Sequence, residues 1–398
     1  MAMHSPTLKT LLMTTCVSVA TIPVGPAMAQ AIDGDDFATK LTAALGPSDM
    51  AIRYGDAEAA GDVVTLTDVR LDNGNGDDID LGTVVFQGVA SEDDGGYTAR
   101  EANFPDIDVT DDDIRFTARD MTLSGIDIPG EADPEDPIDG ILYYQQARVG
   151  PLAVTFQDEP AFSLNETVID VARRSDGSGV DTMMRMEGMS ANLARVEDPR
   201  SRQAIEAMDL DEVTGRMNIT AGWDIESGEI DISDYAIDLD DVGRLVLMFS
   251  FSGYTPEFAA AMQETQNNLE QNADDEMAGM AMLGLLQQLS FNSASIRFED
   301  SSITRRVLNY VGEQQGVDGE QMAQAVKGML PLMLAQLQNP DFQRQISEAV
   351  SAYLDDPRSL TIETNPEEPV PFMELFAAGS SAPQTLPDVL DLNVRAND

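Results

Sequence analysis

Histidine and cysteine are almost absent from this chain of 398 residues: the one histidine is His4 and the one cysteine is Cys16. Both fall in an N-terminal stretch that reads as an export signal, so the remainder carries neither. That excludes a Ser-His-Asp triad, a Cys-His pair, a thiol redox centre and a His- or Cys-ligated zinc or iron site. Lysine is scarce too; beyond that stretch only Lys40 and Lys327 remain, so Schiff-base chemistry has two candidates. Tryptophan occurs once, at Trp223, which argues against the aromatic surface of a glycoside hydrolase despite the abundance of carboxylates. These absences point away from an enzyme, a metal centre or any cofactor, and toward an exported binding or structural protein.

The N-terminus has the three parts of a cleavable signal. Met1–Lys9 is weakly basic, residues 10–24 are mostly apolar, and Ala27-Met28-Ala29 offers the small residues of an A-x-A cleavage site, placing cleavage before Gln30. The rival reading is a lipoprotein acylated at Cys16, but Met13-Thr14-Thr15 fits a lipobox poorly. No later run reaches the roughly 18 consecutive apolar residues of a membrane span. The expected location is periplasmic, and a chain without further cysteines has no disulfides to support its core.

Charge is heavily one-sided. There are 71 Asp and Glu against 23 Lys and Arg, a formal net charge of −48, and removing the segment with Lys9 makes it one unit more negative. Such a field repels nucleic acid and anionic membrane surfaces. It matches a surface kept soluble in high salt; alternatively the acids recruit cations or a basic partner. Hydrophobic residues make up 42% of the chain, enough for a folded core despite the charge.

Periodicity divides the rest of the chain. Asp35–Leu45 reads as a helix capped by Asp35 or Asp36, with Phe37, Leu41, Ala44 and Leu45 on one face. From about Met50 the period is two. Strands are expected at Val63–Leu71, Asp80–Val89, Tyr97–Phe104, Ile114–Ile128, Leu142–Phe156 and Phe162–Ala172. Others come at Thr182–Val196, Gly215–Trp223, Glu229–Leu239 and Arg244–Ser252, with one small helix at Pro199–Met208. After Tyr254 helices dominate: Pro256–Leu269, Glu276–Leu289, Ser302–Gln314, Gly319–Gln338 and Pro340–Asp355, with strands returning at Ser290–Glu299 and Ser359–Glu363. The expected fold class is α+β, a long twisted antiparallel β-sheet with a C-terminal helical cap on its apolar face. The divisions are a signal peptide (1–29), a strand-rich region with an N-terminal helix (30–254), a helical cap with returning strands (255–363), and a Pro-rich linker and tail (364–398). The tail is expected to be loose from Gly379.

Few residues stand out as a site. Asn73-Gly-Asn-Gly-Asp-Asp-Ile-Asp80 tempts a calcium reading but lacks the EF-hand glycine and any tandem copy, and reads as a hairpin turn. Weak cation binding there or at Asp111–Asp113 stays open. Met277, Met280, Met282, Met322, Met329 and Met333 all fall on the C-terminal helices. They read either as core packing or as the lining of a groove that accepts lipid or peptide, because methionine is flexible and polarizable. Arg297, Arg305 and Arg306 lie close in sequence; they would meet a lipid headgroup or pair with acids such as Glu299 and Asp300.

The stretch from Leu285 to Glu374, with Leu-Leu-Gln-Gln-Leu-Ser-Phe-Asn-Ser-Ala-Ser-Ile-Arg-Phe-Glu-Asp-Ser-Ser-Ile-Thr-Arg-Arg-Val-Leu, then helices, then Leu-Thr-Ile-Glu-Thr-Asn-Pro-Glu-Glu-Pro-Val, resembles the C-terminal part of YdgA-like bacterial envelope proteins of unknown function. The strand-rich part looks like the AsmA-like envelope proteins, a resemblance that implies lipid handling and no catalytic residues. The extreme acidity and cleavable signal depart from that pattern. The expectation is therefore a non-enzymatic periplasmic envelope protein that binds a lipid or acyl chain between sheet and helices. The alternative is a structural or interaction protein with a filled core, holding a protein partner on its acidic face or a sheet edge. An Asp/Glu-dependent hydrolase is the third reading.

Overall fold

The period-two alternation ends in one antiparallel sheet, with 21 strands among the described residues when every interruption is counted as a new strand. The computed structural model describes residues 31–45, 52–72, 78–130, 140–271 and 282–398, and Ile32–Asp398 forms one unit. The turn expected at 73–76 and the start of the helix expected at Glu276 lie outside the described residues.

The chain begins with α1 (Gly34–Ala44), then β1 (Ile52–Arg53), β2 (Asp56–Ala60), β3 (Val63–Asp72), β4 (Asp78–Gln87), β5 (Ala90–Ser91), β6 (Tyr97–Asn103), β7 (Ile107–Asp111), β8 (Ile114–Ala118) and β9 (Thr122–Ile128). Asp33, not Asp35 or Asp36, caps α1, because its carboxylate accepts from both of their amides. The buried face of α1, Phe37, Ala38, Leu41 and Ala44, packs with Val64, Leu66, Val84, Phe86, Ala102 and Ile126. The Phe37 ring meets Phe86 and Tyr97 edge-on, at 5.0 and 5.4 Å between centroids. At its corner Lys40 Nζ donates to Asp36 Oδ2 (2.5 Å) and to the Gly95 carbonyl (2.8 Å), while the Tyr97 hydroxyl donates to Asp36 Oδ2 (2.7 Å).

The middle of the chain supplies β10 (Gln146–Val149), β11 (Leu152–Phe156), β12 (Glu159–Leu164), β13 (Glu166–Arg173), β14 (Gly179–Asn192), α2 (Pro199–Ala207), β15 (Glu212–Asp224), β16 (Glu229–Leu239) and β17 (Gly243–Ser252). Next come α3 (Pro256–Gln271), β18 (Ser290–Asp300), α4 (Ile303–Gln314), α5 (Gly319–Leu334) and α6 (Pro340–Asp355). The chain closes with β19 (Ser359–Thr364), β20 (Val370–Pro371), α7 (Phe372–Ser381), α8 (Leu386–Val389) and β21 (Leu392–Ala396).

The strand order from β3 is β3–β4–β6–β9–β10–β13–β14–β15–β16–β17–β18–β19–β21. A second row, β7–β8–β11–β12–β14, runs alongside. It exists because the strands expected at Ile114–Ile128, Leu142–Phe156 and Phe162–Ala172 are each broken in two. Asp120 takes a left-handed conformation (φ 51°) between β8 and β9. Pro151 between β10 and β11 has no N–H for the ladder. The tail is not loose: β21 pairs with β19 along its whole length, and Val394 is buried.

Register sorts the side chains into two faces, since directly paired residues share a side. One face collects Val180, Met184, Ile219, Trp223, Ile230, Ile232, Tyr235, Ile237, Leu245, Leu247, Phe249 and Phe251, continued by Phe291, Ile296, Phe298 and Ile362. The other carries Asp181, Arg185, Arg216, Asp224, Asp231, Asp234, Asp238, Arg244, Arg297 and Glu299.

Among the described residues, no helix roofs the apolar face over β14–β17. None of its residues named on β14–β17 is buried, and Ile296 and Ile362 are 48% and 38% exposed. Of the helices from α4 to α6, α6 is the one that lies chiefly against the sheet, at β19 and β21. No described helix is long and apolar enough to cross a membrane.

Candidate functional site

The apolar face deepens into a pocket where β13–β16 meet the segment leading into β10. Val171 and Arg173 come from β13, Val180 and Thr182 from β14, Ala221, Gly222 and Trp223 from β15, and Ile230 from β16. Tyr254 closes one end, Ile141, Leu142 and Tyr143 the other, and the space between them, open to solvent on one side, is about 370 Å3. That lies within the size range of small-ligand sites, roughly 300–1,000 Å3.

Backbone contacts fix both ends. The Leu142 amide donates to the Ala44 carbonyl (2.9 Å), and Tyr143 exchanges a pair of backbone hydrogen bonds with Asp127. Tyr254 is placed by two turns: its amide donates to Gly228 O (2.9 Å) and the Gly253 amide to Ser227 O (3.1 Å). Gly253 has φ +96°, and a Cβ there would stand 2.0 Å from the Gln288 carbonyl oxygen, so no side chain fits. Behind Tyr254 an aromatic cluster runs through Phe258, Phe251, Phe249 and Phe291, with neighbouring ring centroids 5.3–6.4 Å apart.

Most polar groups in the lining are already used. Trp223 Nε1 donates to the Tyr254 carbonyl (2.9 Å), and the Tyr143 hydroxyl donates to Val171 O (3.1 Å). Arg173 carries the only formal charge among the lining residues. Its guanidinium stacks 4.1 Å above the Tyr143 ring, and Nη1 donates to Asp127 Oδ2 at 3.2 Å. No partner for Nε or Nη2 is found among the described residues.

The residues expected from sequence are dispersed. Met277 and Met280 lie outside the described residues, and Met282 is 39% exposed. On α5, Met322 is buried at 6%, whereas Met329 and Met333 are 55% and 63% exposed. The methionines of α5 therefore divide: Met322 packs inward, while Met329 and Met333 face outward beside the buried Leu330.

Arg297 pairs with Glu299 (2.9 Å) and Asp398 (2.6 Å) on the polar face, which holds the Asp398 carboxyl below its ordinary range. Arg306 donates to the Met208, Asp209 and Asp241 carbonyls. Arg305 lines a different, polar pocket of about 630 Å3 with Asp300, Asp318 and Asp355. The three arginines thus serve three separate places.

Besides the acids of that polar pocket, Glu229 and Asp231 lie two residues apart on β16. Glu229 accepts from Ser250 Oγ (3.0 Å) and Asn292 Nδ2 (3.4 Å). Asp231 is held above the ordinary carboxylate range, first by desolvation and then by the Glu229 charge. Both lie on the polar face, away from the apolar pocket. No group of three or more metal-ligating side chains is found among the described residues, which include Asp111–Asp113.

The pocket escapes a reading of the sequence because its walls come from strands far apart in the chain; the one signal available is the solitary Trp223. A family model described as "Uncharacterized protein" matches residues 236–397, from within β16 to just past β21. The chain is similar to that family over this stretch, which contains Tyr254 but neither Trp223 nor Arg173. No curated protein matches the chain.

Proposed function

We propose that this protein binds an apolar ligand, a lipid or acyl chain, on the open face of its sheet, with the Trp223 pocket as the defined end of the site. The observation that supports it is the unroofed apolar face itself. An antiparallel sheet ordinarily turns its apolar side to a core and its polar side to water; here the polar side is solvated and the apolar side also keeps partial exposure. An exposed apolar surface of this kind marks a binding or interaction site. The ligand lies on the sheet rather than among the C-terminal methionines.

The binding is non-enzymatic: burial of apolar area, at roughly 25 cal/mol per Å2, is sufficient without a reacting group. Export to the periplasm and kinship with the YdgA-like and AsmA-like envelope proteins belong to the same proposal. A second reading, docking of a protein partner, rests on β21, which is paired on one side only among the described residues and offers a strand edge.

Titration with N-phenylnaphthylamine tests the proposal, with Ala221→Phe as the pocket-filling variant. The expected result is saturable dye binding by the native chain and at least about a tenfold loss in the variant, with thermal stability unchanged or raised because a void is filled. Unaltered dye binding in a folded Ala221→Phe protein would overturn the placement of the site.

A further inference from the structure

The lining of the Trp223 pocket carries information about which apolar ligand fits. The chain has 71 acidic residues to 23 basic ones, yet among the described residues no acid lines this pocket and the one charged lining residue is a cation, Arg173. The indole N–H and the Tyr143 hydroxyl are committed to backbone carbonyls. Among the described residues, Nε and Nη2 of Arg173 are therefore the charged donors left to a ligand, joined by the small hydroxyl of Thr182. Stacking on Tyr143 and the single contact from Nη1 to Asp127 hold the guanidinium plane in place, and a planar fork held this way presents an edge that matches a carboxylate.

Volume restricts the other end. At about 30 Å3 per methylene, taken as equal to the share of a water molecule, 370 Å3 holds about a dozen carbons. That is room for one such chain inside the pocket itself.

Resting on the apolar-ligand reading above, we propose that the pocket selects a single-chain carboxylate of the fatty-acid class, its acid group on the Nε–Nη2 edge of Arg173 and its chain running past Trp223 toward Tyr254. The net negative charge of the protein opposes an anion at long range. At physiological ionic strength that field is screened within about 8 Å, while the contact with Arg173 is not.

The chain reports on its own pocket, since Trp223 is its only tryptophan. Dodecanoate and methyl dodecanoate share a chain and differ in charge. Each is titrated into the full chain in 0.15 M salt, below micelle-forming concentrations, with Trp223 emission as the readout. Dodecanoate is expected to bind about tenfold more tightly than the ester. In Arg173→Gln the acid should weaken by about tenfold and the ester stay the same, bringing the two together; circular dichroism verifies the fold. Equal binding of acid and ester by the native protein, or a preference that survives in Arg173→Gln, overturns the carboxylate assignment while leaving the apolar pocket standing. Failure of both probes to bind overturns the pocket reading and this inference together.

Discussion

Three residues tie the first helix to the sheet, and their ionisation gives that contact a pH signature. The Asp36 carboxyl is held below its ordinary range, first by the Lys40 hydrogen bond and then by that of Tyr97. Tyr97 is pushed up to about 12, by burial first and by the Asp36 hydrogen bond next. A phenol whose folded pKa exceeds the unfolded value contributes stability that is complete below about pH 10 and lost as pH rises through the folded value. Denaturant unfolding at pH 9 and pH 11.5 should therefore show the native protein losing roughly 1–2 kcal/mol more than Tyr97→Phe; identical losses would remove Tyr97 from the alkaline transition. Asp36 works in the opposite direction. Its contribution is present above about pH 4 and disappears as pH falls through its lowered pKa, so Asp36→Asn should flatten the acid limb of the stability curve.

Helix α5 shows why an apolar stripe is a weak guide to burial. Met322, Val326, Met329, Leu330, Met333 and Leu337 share helical spacing, yet Met322 and Leu330 are buried while Met329, Leu332 and Met333 are exposed. Met322→Asp should destabilise by about 3 kcal/mol or more, because a charge is forced into packed surroundings. Met329→Asp should stay within about 0.5 kcal/mol of the native protein; chemical denaturation distinguishes the two. Spacing reveals which residues share a face, and the partner of that face is decided by parts of the chain far away. Strands are legible for the complementary reason: alternation is local, and β3, β6, β16 and β17 fall close to where it places them. What alternation does not reveal is where a long strand breaks. Asp120 adopts φ 51° in a run that otherwise reads as continuous. Short strands at the margins are equally hard to see: Ile107–Asp111 is five residues long with two acids, and Leu392–Ala396 comes after a stretch rich in small residues. The pocket is least legible, since Arg173, Trp223 and Tyr254 meet only through the register of β13–β17.

Taken as a whole, the chain separates its two chemistries onto the two sides of one sheet. Arginines on the polar side are paired, as in Arg185–Asp170 (2.8 Å) and Arg395–Glu363 (2.6 Å), but acids outnumber them and the surplus repels itself. The melting temperature should rise by several degrees as salt increases from 0.01 M to 1 M, where the screening length falls from about 30 Å to about 3 Å; a salt-independent melt would mean that the acidic surface costs little stability. On the other side, the apolar face stays open because no helix among the described residues roofs its middle strands. The central claim is that a ligand takes that place. Mass spectrometry of an organic extract of the protein, purified without detergent from the cells that make it, tests this directly. Near-stoichiometric lipid, chiefly single-chain acids, is the expected result. A folded protein that carries no lipid and takes up neither dodecanoate nor its ester would contradict the account and leave the open face to a protein partner.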